Sequence, residues 1–136
     1  IGVTAISPTN EPDYQVTYES MNTSASQLAG IIENLSDRLV IENLQDVQII
    51  SPENFRVNSN NPATSTRNYI SSMFSNPDVA AATDVVATHT YQSTVSQNDW
   101  NALKSVSLGK DIWVQRQVIF TAPILICLTL AIISIA

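Results

Sequence analysis

Val3-Thr4-Ala5-Ile6-Ser7, closed by Pro8 and followed by Thr9-Asn10-Glu11-Pro12, is a short apolar run that delivers a carboxylate just past its end. A run of this length and composition fits a strand buried on both faces of a parallel sheet, with proline ending the ladder. Working outward from it, the same unit recurs. After a polar, aromatic-bearing loop over 13–22, Thr23 or Ser24 can cap a helix with Leu28, Ile31, Ile32, Leu35 and Leu39 at helical spacing, running to Arg38 or Leu39. Val47-Gln48-Ile49-Ile50 reads as a second strand, ended by Ser51-Pro52 ahead of Glu53.

The loop over 54–62 is rich in asparagine, and a second helix is expected from Ala63 or Thr64, carrying Tyr69, Ile70, Met73 and Phe74 and stopping before Asn76-Pro77. Val79 to Ala82 adds a helical turn. Asp84 to Tyr91 is a third strand, in which His89 and Tyr91 share a side because they lie two apart. Gln97 to Val106 reads as a short helix, and Gly109-Lys110 turns the chain into a fourth strand, Asp111 to Val114. Strands alternating with helices in this way predict an α/β fold with a parallel sheet rather than a sandwich.

Composition narrows the function. Twelve acidic against six basic residues give a net charge of -6, and no lysine or arginine cluster forms a face that could track phosphates, so no nucleic acid partner is expected. The single cysteine, Cys127, rules out an intrachain disulfide and a zinc-type spacing, and no metal or cofactor is expected. Asn22-Thr23-Ser24 and Asn34-Leu35-Ser36 match the acceptor pattern for N-glycosylation in a eukaryotic secretory route.

In parallel α/β proteins, chemistry gathers outside the carboxyl ends of the strands. Those ends offer Asn10 and Glu11 from the first strand, Glu53 from the second, and His89 and Tyr91 from the third. Glu53 is expected to be a solvated loop acid. Tyr14 and Tyr18 stand where they can stack on a ligand or simply cover the mouth, and Trp113 is expected in the core or a pocket wall.

The run from Ala5 to Tyr14, extended by Val16-Thr17-Tyr18-Glu19-Ser20, resembles the acid/base segment of glycoside hydrolase family 30. His89-Thr90-Tyr91 and Gly109-Lys110-Asp111-Ile112-Trp113 resemble that family's next landmarks in the same order. The resemblance covers about residues 1–114 and implies a partial (β/α)8 TIM barrel, about strands four to seven with intervening helices. It implies a retaining hydrolase of β-linked polysaccharide such as xylan, or of β-glucosides, with carbohydrate as the partner. It further implies that Glu11 protonates the leaving oxygen and then activates water, that Asn10 binds the sugar 2-hydroxyl, and that His89, Tyr91 and Trp113 contact substrate. Such catalysis needs a second, ionised carboxylate about 5 Å away as nucleophile.

At that point the chain departs from the family pattern. Where the family has Trp-x-x-Glu, with the glutamate as nucleophile, this sequence reads Trp113-Val114-Gln115-Arg116. Neither the guanidinium nor the amide can attack an anomeric carbon, so the chain as it stands is expected to be inactive. A barrel domain is therefore expected over 1–115, as an internal piece of a secreted enzyme, with an apolar tail over 116–136. Val118 to Ala136 carries no charge and is long enough, at about 1.5 Å per residue, to span a membrane. The tail is read as a mistranslated intron or frameshift; the alternative is a membrane-tethered, non-catalytic carbohydrate-binding remnant.

Overall fold

The computed structural model describes residues 2–17, 20–91 and 94–115. Tyr18 and Glu19 of the family-like extension, Arg116, Cys127 and the apolar tail lie outside the described residues. The elements are β1 (Ala5–Ile6), α1 (Ala25–Ile41), β2 (Gln48–Asn54), α2 (Thr66–Met73), α3 (Pro77–Ala82), β3 (Val85–His89), α4 (Gln97–Val106) and β4 (Asp111–Gln115). The strands form one sheet in the order β1-β2-β3-β4, and every pair is parallel. A doubly wound sheet reverses direction at its switch point. This one does not.

Local chemistry starts each helix where the chain offers a cap. Ser24 caps α1 in a reciprocal box with Gln27, Ser96 does the same for α4 with Asp99, and Asn76 with Pro77 at the first turn starts α3. Helix α1 buries Leu28 and Ile32 completely, which stabilises the fold by about 1.5–3 kcal/mol for each side chain. Ile31, expected on the same stripe, is instead 40% exposed. It lies one position off the Leu28, Ile32, Leu35, Leu39 line that packs inward.

Helix α2 starts at Thr66, later than the sequence suggests, because the preceding loop closes on itself. The Asn68 side-chain amide donates to the carbonyls of Ser59, Asn61 and Thr64 at 3.0, 2.8 and 2.9 Å. Strand β3 begins at Val85 because Asp84 acts as a clip: its carboxylate accepts the Ile49 N–H at 2.7 Å and its own N–H donates to the Ile49 carbonyl at 2.9 Å.

The largest departure is β2. It does not stop at Ser51-Pro52 but continues to Asn54, with Ser51 opposite Val86, Pro52 opposite Ala87 and Asn54 opposite Thr88. Glu53 is the extra residue of a bulge and sits in the left-handed region at φ 57°. Proline inside a sheet is tolerated where a bulge interrupts the ladder, since a donor is already missing there.

Alternation along the strands sorts the core. Val86 and Ile112 point to the helices and join Val57, Ile70 and Leu103, while Ile49 joins Leu28, Ile32, Tyr69, Met73 and Val79. Ile50, Val85 and Ala87 form a third cluster with Ala5 and Trp113, drawn from all four strands and from no helix. The helices therefore cover one face, and this third cluster occupies the other. No helix among the described residues is long and apolar enough to cross a membrane.

Candidate functional site

Three parallel strands end side by side, and the loops leaving them converge. Beyond β1, the Ser7 hydroxyl donates to Glu53 Oε2 at 2.7 Å, with the Thr9 carbonyl at 3.0 Å as competing acceptor, and the buried Thr9 hydroxyl donates to the Pro52 carbonyl at 3.1 Å. The turn then brings Glu11 to φ 48°, an uncommon conformation for a residue with a Cβ. Two backbone bonds hold it there: the Glu11 N–H donates to the Glu53 carbonyl at 3.0 Å, and the Glu11 carbonyl accepts from the Tyr14 N–H at 3.0 Å.

From that position the Glu11 side chain reaches His89, with Oε1 3.1 Å from Nδ1. His89 closes β3 and is only 2% exposed, and neither ring nitrogen has an aligned hydrogen-bond partner among the described residues. An ion pair would pull the carboxyl down and the imidazole up. The shifts run the other way: burial, followed by the negative charge of Asp13, pushes Glu11 above the usual glutamate range, and burial pushes His89 down against the opposing pull of Asp13. Desolvation thus outweighs pairing at both groups.

The Tyr91 ring lies 5.1 Å from that of His89, and its hydroxyl is held above the ordinary tyrosine range by burial and then by Glu11. Tyr91 has already left the ladder, and its N–H reaches the Phe55 carbonyl at 3.3 Å. Phe55 is the centre of an aromatic row: it stacks on Tyr14 at 4.1 Å and 10°, and meets Tyr91 at 4.9 Å and 37°. The Arg56 guanidinium sits 5.4 Å from the Phe55 ring.

The structure brings Glu11, His89 and Tyr91 together. Asn10 is exposed on the rim beside Glu11. Trp113 stands opposite Ala87, two residues below the level of His89 and Gln115, and packs on the Ile50, Val85 and Ala87 cluster rather than at the rim. Glu53 is not the solvated loop acid expected. It sits half-buried on the bulge, raised by burial and partly offset by the Ser7 hydroxyl. No group of three or more histidine, cysteine, aspartate or glutamate side chains able to hold a metal converges among the described residues.

Two contributors escape the sequence reading, Phe55 and Asp13. The Asp13 carboxylate accepts the Phe55 N–H at 2.8 Å through Oδ1 and the Ser65 N–H at 2.7 Å through Oδ2. The one visible signal was position, an acid two residues after Glu11.

No protein-family model matches the chain, and no curated protein matches it in sequence. Among solved structures it is similar to the glycoside hydrolase family 30 subfamily 8 xylanase Xyn30A from Clostridium acetobutylicum, with a TM-score of 0.57 and 24% identity over 81% of this chain. The matched part is 24% of that xylanase, so the chain spans about a quarter of its length. The likeness is one of fold: a mixed α/β arrangement with a four-stranded parallel sheet, consistent with part of a TIM-barrel-like protein.

Proposed function

We propose that this chain is the acid/base-bearing segment, about strands four to seven, of a (β/α)8 retaining glycoside hydrolase of family 30 type acting on a β-linked polysaccharide such as xylan. The observation that carries the reading is Glu11, its carboxyl raised by burial at the carboxyl end of a parallel sheet and 3.1 Å from His89. A glycosidase acid must keep its proton near neutral pH, and burial shifts the Glu11 carboxyl in the direction that role requires. The sequential sheet with helices on one face is also what an arc of such a barrel requires.

In this reading Glu11 protonates the leaving oxygen and later takes the proton from water. Asn10 holds the sugar 2-hydroxyl, and His89 and Tyr91 line the subsite around the scissile bond. Trp113, below the rim, contributes to the floor. The domain ends near Gln115, and the parent enzyme is secreted. The chain itself binds sugar without hydrolysing it, because its sequence has Arg116 at the motif position of the nucleophilic glutamate.

The test is to add xylo-oligosaccharides to the chain and follow the His89 and Tyr91 resonances, with aryl β-xylosides and β-glucosides assayed in parallel. Saturable shifts that disappear in Tyr91→Ala, without turnover, are expected. Absence of any shift at millimolar sugar sinks the binding claim, and turnover abolished by Glu11→Gln sinks the claim of inactivity.

A further inference from the structure

Asp13 shares the loop of Glu11, yet its carboxylate is engaged elsewhere. One oxygen takes the amide of Phe55 at the end of β2, and the other takes the amide of Ser65, the fully buried cap of α2. Phe55 in turn receives the Tyr91 N–H and carries the aromatic row. A single carboxylate thus joins the loop after β1, the end of β2, the start of α2 and, through Phe55, the segment after β3.

The groups facing Glu11 can be named from each element. Asp13 comes from its own loop, Glu53 from β2 with its carboxylate engaged by Ser7, His89 from β3, and Tyr91 from the segment beyond β3. His89 is the sole member of this set able to become cationic, and burial opposes that. Of these groups, Asp13 is the one whose charge adds to burial in raising the Glu11 carboxyl.

Building on the acid/base reading of Glu11, we propose that Asp13 is its positioning residue, holding the Glu11 loop on β2 and α2 through two backbone amides and fixing a permanent negative charge beside the carboxyl. After burial, that charge is the second cause that raises the Glu11 carboxyl above the usual glutamate range. It differs in kind from the charge of a nucleophile. A nucleophile loses its charge when it forms the sugar ester, so its influence on the acid switches off halfway through the cycle. The charge on Asp13 persists through both halves.

The experiment is a carbon-13 carboxyl titration of Glu11 in the full chain and in Asp13→Asn, with folding of the variant checked by its amide spectrum. The Glu11 midpoint is expected to fall in the variant. In the unaltered chain it is expected to fall as salt is raised from about 0.01 M to about 1 M, where screening shortens from roughly 30 Å to 3 Å. A purely structural clamp would speed amide exchange at Phe55 and Ser65 and leave the midpoint in place, which overturns the proposal. If Asp13→Asn does not fold, the salt series decides alone, and a salt-independent midpoint overturns it. Xylo-oligosaccharide binding is measured on the same samples: a shifted midpoint without sugar binding refutes the glycosidase reading and leaves the coupling of Asp13 to Glu11 standing.

Discussion

Replacing Asp13 by alanine removes one acceptor from each of two backbone amides, at 2.8 and 2.7 Å. Hydrogen bonds to a charged group contribute about 1.5–3 kcal/mol each. Asp13 is partly exposed, and water can replace some of what is lost, which places each bond at the lower end of that range. The expected loss is therefore about 3 kcal/mol for Asp13→Ala. Asparagine keeps one acceptor but turns an NH2 group toward the other amide, so Asp13→Asn should lose roughly half as much. With a urea slope of about 2 kcal/mol/M, the midpoint moves down by about 1.5 M for alanine and about 0.7 M for asparagine. Urea unfolding followed by circular dichroism measures this, and hydrogen exchange locates it, since protection should fall first at the Phe55 and Ser65 amides. A loss below about 0.5 kcal/mol for alanine, or one with both amides still protected, refutes the clamp.

Two further outcomes follow from the same structure. Glu11 and Glu53 are raised above their ordinary 4.5, so the stability they contribute is present in acid and lost as pH climbs through the raised values; His89 is depressed below 6.5, so its contribution is present above that point and lost as pH falls through the lowered value. Thermal unfolding between about pH 4 and pH 8 should show Glu53→Gln flattening the decline on the rising side and His89→Gln flattening it on the acid side, and unchanged slopes in both variants would contradict the burial argument. A Cβ built on Gly30, inside α1, meets nothing within 4 Å, so Gly30→Ala should stabilise the chain by about 0.5–1 kcal/mol, read as a higher urea midpoint at unchanged slope.

The helices were legible because their signals are local. Ser24 lies within one turn of the residues it caps, as the sequence suggests, and Leu28 and Ile32 declare their face by spacing. Strand limits were less legible. Pro52 read as a stop because it lacks an N–H, and only the bulge at Glu53, which depends on pairing with β3, makes it acceptable in mid-sheet. The two parts of the site differ in the same way. Glu11, His89 and Tyr91 follow from the rule that chemistry gathers at strand ends, and their mutual approach needs only that β1 and β3 run parallel on either side of β2. Asp13 works through amides 42 and 52 residues away, and Phe55 through rings on two other loops, so no window of sequence contains their partners.

The bulge in β2 acts as a phase shifter for the rim. Were Glu53 paired in the ladder instead of bulged out, the Ala87–Pro52 pairing would continue one for one and bring Asn54 level with His89. With Glu53 bulged out, Asn54 falls opposite Thr88, and Phe55 is the residue that comes level with His89. Bulging one residue out of the ladder thus exchanges an amide for an aromatic ring at the height where Tyr14 and Tyr91 meet it. Deleting Glu53 would remove the bulge and leave Asn54 and Phe55 at these levels, whereas drawing Glu53 into the ladder would re-index everything above it. The left-handed backbone at Glu53, which keeps it out of the ladder, is therefore as much a specification of the site as the identity of any side chain in it.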